Sequence, residues 1–296
     1  MSTTVTTPAA KPPALGLRLP KKLATGSTQL DIGIVLLTLV VLALVMQELF
    51  VTSAMLDGNL SKRLRWSGDG VGILGTDQLG RDLFYRVLAG FPWSLGISGV
   101  AVVMVATIGT FVGLIGAWYT GWVRTVVLLG VSAIIAMPFL VLALVVIALI
   151  GRGFWPLSLT MGGIAWPAIS RVIYAESRGL LTREYVLAAR LFGVSQWSIL
   201  FGHVLPGLRP TILVMAAFYF ATLLIIESAL SFLGLGAPLN APSWGNMLSD
   251  SRQYLVNAPW MMFVPAGAIC ASVIGLNLVG DGVAELSRRR ARAVEV

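Results

Sequence analysis

Histidine and cysteine are almost missing from this chain: His203 and Cys270 are the only examples in 296 residues. A metal centre built from clustered His, Cys and Glu is therefore excluded. A disulfide framework is excluded too, because it needs paired cysteines. A Ser-His-Asp triad could draw only on His203, which lies in a basic segment where a structural role is the commoner one. Charge is also scarce, at 11% of residues, whereas soluble domains carry about 25%. A charge-rich disordered chain is thereby excluded, and a soluble enzyme is disfavoured. No Gly-Lys pair occurs, so the phosphate-cradling P-loop is absent and ATP hydrolysis by this chain is not expected.

What the chain has instead is apolar length. Hydrophobic residues make up 57%, and the mean hydropathy is +0.87. A bilayer core is about 30 Å thick and takes about 20 helical residues to cross. Six runs meet that requirement: Ile32–Val51, Leu95–Trp118, Val126–Ile150, Phe154–Tyr174, Ile212–Leu233 and Trp260–Leu278. The fourth is the weakest, with Gly162, Gly163 and Pro167 inside it. Open sheet edges do not survive in lipid, so the runs are expected to be helices. The expected fold class is all-α, a polytopic membrane protein with six transmembrane helices.

The net charge of +8 fits topology and anionic membrane lipid better than nucleic acid, because the basic residues lie at the tails and between the runs. Lys11, Arg18, Lys21 and Lys22 precede the first run, and Arg288, Arg289, Arg290 and Arg292 follow the last. Arg178, Arg183, Arg190 and Arg209 lie between the fourth and fifth. All three groups are expected on the cytoplasmic side. Residues 1–30 then read as a cytoplasmic tail, not a cleavable signal. Residues 31–53 form the first transmembrane helix, 54–93 an extracytoplasmic loop, 94–282 the core, and 283–296 a cytoplasmic tail. Lys62, Arg63, Arg65, Arg81 and Arg86 run against the outside placement of residues 54–93. No internal repeat is visible.

Three stretches go beyond apolar packing. In the first, Glu184 to Phe192 reads as a short helix, with Gly193 suited to a left-handed C-cap. Gln196 to Val204 reads as a second helix, stopped before Pro206. Small Ala188 and Ala189 leave a shallow face that another protein can approach. A membrane-surface amphipathic loop is the alternative on spacing alone. Here the chain resembles the membrane-spanning subunit of binding-protein-dependent ABC importers. Their signature is E-A-A, three residues, Gly, nine residues, I-x-L-P. Ala188-Ala189, Gly193 and Leu205-Pro206 stand at that register, while Leu187 replaces the Glu and His203 the Ile. Glu184, one turn earlier, is a candidate substitute carboxylate.

The second stretch is Gly75-Thr76-Asp77-Gln78-Leu79-Gly80-Arg81-Asp82-Leu83-Phe84-Tyr85-Arg86. Read alone, it is a tight-turned loop in which Asp77, Arg81, Asp82 and Arg86 pair with one another, as weak surface salt bridges would. It resembles the G-T-D-x-x-G-R-D-x-x-S-R segment of C-type permease subunits of dipeptide, oligopeptide and nickel importers, with Tyr85 in place of Ser. The third stretch, Glu227 to Gly236 with Pro242 to Met247, resembles the same subunits, as does Asn277 to Gly282. Ala284 to Arg288 departs from their usual Asp-Pro continuation.

The resemblance implies the type I importer permease fold, with residues 183–206 as the segment coupled to ATPases. It implies a homologous B-type permease partner, two ABC ATPase subunits that bind ATP and Mg, and an extracytoplasmic substrate-binding protein. The chain itself is expected to bind no cofactor or metal, to catalyse nothing, and to sit in the bacterial inner membrane. Peptides are the default cargo, with nickel or another small solute the alternative. An ion-driven secondary transporter is more remote, since Glu48 and Glu227 both fall toward the outside and not at the bilayer midplane.

Among single residues, Glu227 is a buried-charge problem within a span. It reads either as a polar group of the translocation path or outer gate, or as a structural hydrogen-bond acceptor. Met137-Pro138, midway along the third run, reads as a kink that shapes a cavity or hinge, or as a static one. Trp93, Trp118, Trp122, Trp155, Trp244 and Trp260 read as interfacial anchors.

Overall fold

The computed structural model describes residues 28–50, 56–67 and 72–294. The basic N-terminal tail and residues 51–53 of the first span lie outside them, as does the side chain of Glu48. The described residues are almost entirely helical, with one isolated bridge between Thr76 and Asp82. Ten helices follow in order: α1 Thr28–Phe50, α2 Leu83–Trp118, α3 Trp122–Ile135, α4 Phe139–Ile150 and α5 Phe154–Leu180, then α6 Glu184–Leu191, α7 Gln196–Ile199, α8 Leu205–Phe232, α9 Trp244–Ser251 and α10 Trp260–Val294.

Four stretches are long and apolar enough to cross a membrane: α1, α2, α7 through α8, and α10. The bent pair α3–α4 makes five if counted as one. The remaining expected crossing is α5, which has the length, at 27 residues, but not the same apolarity. Its buried face lies against α2, α4 and α8, so it does not depend on an apolar surface all round.

The longest contact in the molecule joins α2 to α5. It depends on missing side chains. A Cβ on Gly109 would lie 2.9 Å from the Trp166 carbonyl, and one on Gly113 would lie 2.7 Å from the Ser170 carbonyl. Small residues four apart let two membrane helices approach backbone to backbone. Residues 96, 109, 113 and 116 of α2 meet residues 154, 166, 170 and 174 of α5 in ascending order, so the two helices run parallel. The chain between them must therefore return across the bundle, and α3 and α4 make that return. By contacts of the same kind α1 runs antiparallel to α10, and the pairs Ser94–Glu227 and Gly99–Phe220 set α8 antiparallel to α2.

Several boundaries move from the sequence expectation. Helix α2 begins at Leu83, not Leu95, because the Asp82 carboxylate accepts the Phe84 N–H at 2.8 Å and caps it. Trp93 and Trp118 lie about 37 Å apart along this helix at 1.5 Å per residue, so its first turns stand clear of a 30 Å hydrocarbon core. The third run is not one continuous kinked helix: α3 and α4 meet at 88° across a short break. Pro138 supplies no N–H at the break, and Met137 closes α3 by bonding the Ile134 carbonyl. The second helix of the coupling segment does not stop before Pro206. It passes through a π turn at Leu200–Val204, where the Leu205 N–H reaches the Leu200 carbonyl, and continues as α8. The wider turn accommodates a proline at the next position, which has no N–H to place. The C-terminal tail is helical as far as Val294, as the end of α10.

Two buried clusters hold the bundle. One runs from Ile97 and Val105 through Met161, Ile169 and Ile173 to Val186, Ile199 and Leu208. The other centres on Leu83, Phe91, Leu224, Trp244 and Met261.

Substituting Gly113→Val should destabilise the protein by about 1–3 kcal/mol through overpacking. Gly130→Ala, where a Cβ meets nothing within 4 Å, should change stability by less than about 1 kcal/mol. Thermal unfolding of the two detergent-solubilised variants checks the pair; equal melting would contradict the close-approach account.

Candidate functional site

The elbow between α5 and α8 is built from two short helices and one turn. Helix α6 lays Val186 into the first buried cluster, and α7 adds Ile199. Gly193 joins them at φ +74°, the left-handed conformation expected of it. Its N–H bonds the Arg190 carbonyl and that of Val194 bonds Ala189, closing the end of α6. Ser195 caps α7 by accepting the Ser198 N–H at 3.3 Å.

The elbow's outward surface differs from the one expected. Ala188 and Ala189 are only half-exposed, and Ala189 packs on the core. The projecting groups are Leu191 and Phe192, 88% and 86% exposed, flanked by Tyr185, Leu187 and Trp197. Leu191 and Phe192 are the most exposed apolar side chains of the elbow. Glu184 is exposed at the start of α6, beside Arg183 and Tyr185. His203, half-buried, places Nδ1 3.3 Å from the Ser198 carbonyl. Leu205 and Pro206 open α8 and are also half-buried.

The elbow is tied to the end of α2. The Arg190 guanidinium lies over the Trp118 ring, 5.0 Å from its centroid, and the Trp118 indole N–H donates to Gln196 Oε1 at 3.3 Å. Trp118 thus does more than anchor the chain at an interface. Trp122 and Trp155 are well exposed, as belt residues would be. Trp244 is not: it is fully buried, and its indole N–H donates to the Val87 carbonyl.

At the opposite end, the Gly75–Arg86 stretch is not a solvated loop. The Asp77 carboxylate is fully buried and accepts four hydrogen bonds. Oδ1 takes the N–H groups of Leu79 and Arg81 at 2.8 and 2.9 Å. Oδ2 takes Arg81 Nε and Arg86 Nη1, each at 2.6 Å. Arg86 is itself buried and reaches Asp250 of α9 at 3.5 Å. Thr76 donates its hydroxyl to the Lys62 carbonyl and accepts the Arg65 N–H, while its carbonyl accepts the Trp260 indole. Gly80 sits at φ +73° directly against the Asn59 backbone, where no side chain fits. Gly75, also at positive φ, packs under Trp260. Asp82 does not join the ion pairs, because it is the cap of α2. The motif is a folded plug that fixes the adjoining ends of α2, α9 and α10.

Glu227 lies in a serine nest. It is fully buried and accepts hydroxyl hydrogens from Ser231 at 2.7 Å and Ser228 at 3.3 Å. Ser94 of α2 also faces it. Ser94 and Ser231 in turn accept the N–H groups of Trp244 and Ala237. The serines around the buried carboxylate link α8 to α2 and α9. Met137 and Pro138 stand differently. They are exposed at the α3–α4 break and border a cavity of about 400 Å³ with Phe139, Tyr219 and Thr222.

Two functional candidates escaped the sequence reading. Asp250 joins the plug from 164 residues away, and no local pattern announces it. Arg171 was visible as a charge inside the fourth run. It donates to the Ser132 hydroxyl at 3.1 Å, one turn from residues that border the cavity at the break.

A bundle of long apolar helices with a broken crossing and an outward-facing elbow between two of them defines an importer-type membrane permease. The chain belongs to the family of binding-protein-dependent transport system inner membrane components, whose model matches residues 106–293. It is 32% identical to the dipeptide transport system permease protein DppC of Alkalihalophilus pseudofirmus, over 85% of this chain and 83% of that one. It is 36% identical to the glutathione transport system permease protein GsiD of Pectobacterium atrosepticum, over 71% of this chain and 70% of that one.

Asp77→Asn should cost about 3–5 kcal/mol, because it leaves the Arg86 guanidinium buried against an uncharged partner. Asp250→Asn, at a carboxylate 33% exposed, should cost no more than about 1 kcal/mol. Melting temperatures of the purified protein separate the two. A cysteine at 227 in a Cys270→Ala background should resist aqueous thiol reagents, and rapid labelling would place the residue on a water path.

Proposed function

We propose that this chain is one of two homologous permease subunits of an ATP-driven importer of small peptides. A B-type permease forms the other half of the path, and two cytoplasmic ABC ATPases bind ATP and Mg. An extracytoplasmic binding protein delivers the cargo. The polypeptide crosses the membrane six times, with both termini in the cytoplasm. Cargo class is supported by the relatives, which carry dipeptide and glutathione transport in their names.

The observation that carries the reading is the elbow. Its underside is part of the core, so it moves with the bundle. Its upper side presents Leu191 and Phe192 to a partner. From Gln196 to Phe232 the chain forms one helical run of 37 residues, about 55 Å long. A displacement of the elbow is thereby carried toward the outer end, where the Glu227 nest joins α8 to α2 and α9. A partner shifts such a bundle only by binding one of its states more tightly than the other. ATPase closure must therefore grip the elbow differently from the open form. The α3–α4 break, with Met137 and Pro138 beside Tyr219 and Thr222, is the segment of the path best placed to change shape.

Leu191→Asp with Phe192→Asp should abolish co-purification of the ATPase subunits, while the variant keeps its membrane insertion and melting temperature. A Cβ at Gly193 meets nothing within 4 Å, so the cost of Gly193→Val is chiefly the left-handed backbone, at least about 1–2 kcal/mol for a β-branched residue. The substitution should leave the protein folded but lower ATP-driven uptake in proteoliposomes. Full uptake by both variants would remove the elbow from the mechanism. Glu184→Ala tests the substitute carboxylate in the same assay, and unchanged transport would dismiss it.

A further inference from the structure

Beside the Leu191–Phe192 surface lies a second feature, which shares Trp197 with its edge. A slot of about 260 Å³ runs between the end of α2 and the start of the α7–α8 rod. Phe111, Ile115, Tyr119, Trp197, Leu200 and Phe201 form its walls, with Trp118 at one end. Trp197 and Phe201 stack on each other, 5.8 Å apart and 13° from parallel, so one wall is a stacked aromatic pair. The polar side-chain groups at the slot are Gln196, the Trp118 indole N–H and the Tyr119 hydroxyl, and the first two bond to each other. A polar solute would find little to bind there.

Trp118 and Gln196 also border a second hollow, with Arg190, Val194 and Ile199. The two spaces are therefore neighbours that share a wall. The second one is cationic. Arg190 is held over the Trp118 ring, and among the described residues it forms no salt bridge. An apolar slot that opens beside a fixed, unneutralised guanidinium matches a molecule with an acyl tail and an anionic head. The depth agrees: Trp118 closes a helix that has just crossed the apolar layer, and tryptophan and tyrosine favour the headgroup level.

We infer that this slot and the Arg190 hollow together form a binding site for an anionic phospholipid, seated between the end of α2 and the elbow. The acyl chain lies against the Trp197–Phe201 wall, and the phosphate faces the Arg190 guanidinium. A lipid there fills the space between α2 and the rod, so membrane composition acts on the elbow's position. The inference rests on reading the elbow as lying at the cytoplasmic face, where anionic lipid is concentrated.

The test uses the assembled importer in nanodiscs that contain phosphatidylcholine and phosphatidylglycerol, with a benzophenone amino acid in place of Tyr119. The expected result is crosslinking to phosphatidylglycerol in about fivefold preference over phosphatidylcholine, the factor one basic side chain contributes near an anionic surface. Arg190→Gln should erase the preference while leaving crosslinks to lipid of either kind, and Arg190→Lys should keep part of it. Crosslinking to another protein subunit would overturn the inference, because the slot would then be a subunit contact. Equal capture of the two lipids by the unsubstituted Arg190 protein would overturn it as well. So would loss of the preference on adding inorganic phosphate, which would assign the hollow to a free anion. Co-purification of the ATPases with the same sample is read separately, so failure of the lipid site is distinguishable from failure of the coupling reading.

Discussion

Helices α2 and α5 lie side by side, parallel, with glycine where side chains would keep them apart, and that contact governs the rest of the architecture. Parallel neighbours oblige the intervening chain to cross back. The return path is α3 and α4, and its sharp break opens a cavity against α5 and α8. The same contact brings the end of α2 beside the segment that follows α5. This is why Trp118 meets Arg190 and Gln196, and why the elbow is pinned to two helices at once.

The two ends of the bundle use polar chemistry in opposite ways. At the end away from the elbow, a carboxylate with four donors, two of them arginine side chains, is sealed inside a folded plug, and a second carboxylate is buried among serines. Buried polar groups of this kind hold position, because removing one partner strands the other away from water. At the elbow end the polar groups stay near the surface and the exposed residues are large and apolar. One end resists rearrangement and the other is left to be gripped. A permease moved by a separate motor needs this division between a fixed anchor and a handle.

Much of this was legible along the chain. Apolar run length marked the membrane helices, since a helix in lipid must satisfy its own backbone. Gly193 announced its left-handed turn, and the Glu184–Leu191 helix fell where its pattern placed it. Pro138 announced a disruption, but not an 88° turn: a proline removes one hydrogen bond, and how far the chain then bends depends on what packs at each side. Pro206 misled in the other direction, because a π turn absorbed it and kept the rod whole. The Gly75–Arg86 motif was visible, yet its burial was not. Spacing shows that Asp77, Arg81 and Arg86 can pair, whereas Asp250 and Trp260, which complete and cover the cluster, lie far off in the chain.

Composition and local pattern by themselves determined that this is a helical membrane protein with an elbow between two of its spans, because hydropathy, capping and turn geometry act over a few residues. Only the tertiary structure decided that Glu227 is buried among serines, that Leu191 and Phe192 and not the neighbouring alanines project outward, and that a slot opens beside Arg190. Those outcomes depend on which distant helices come to lie against a given face, and a linear pattern carries no record of its eventual neighbours.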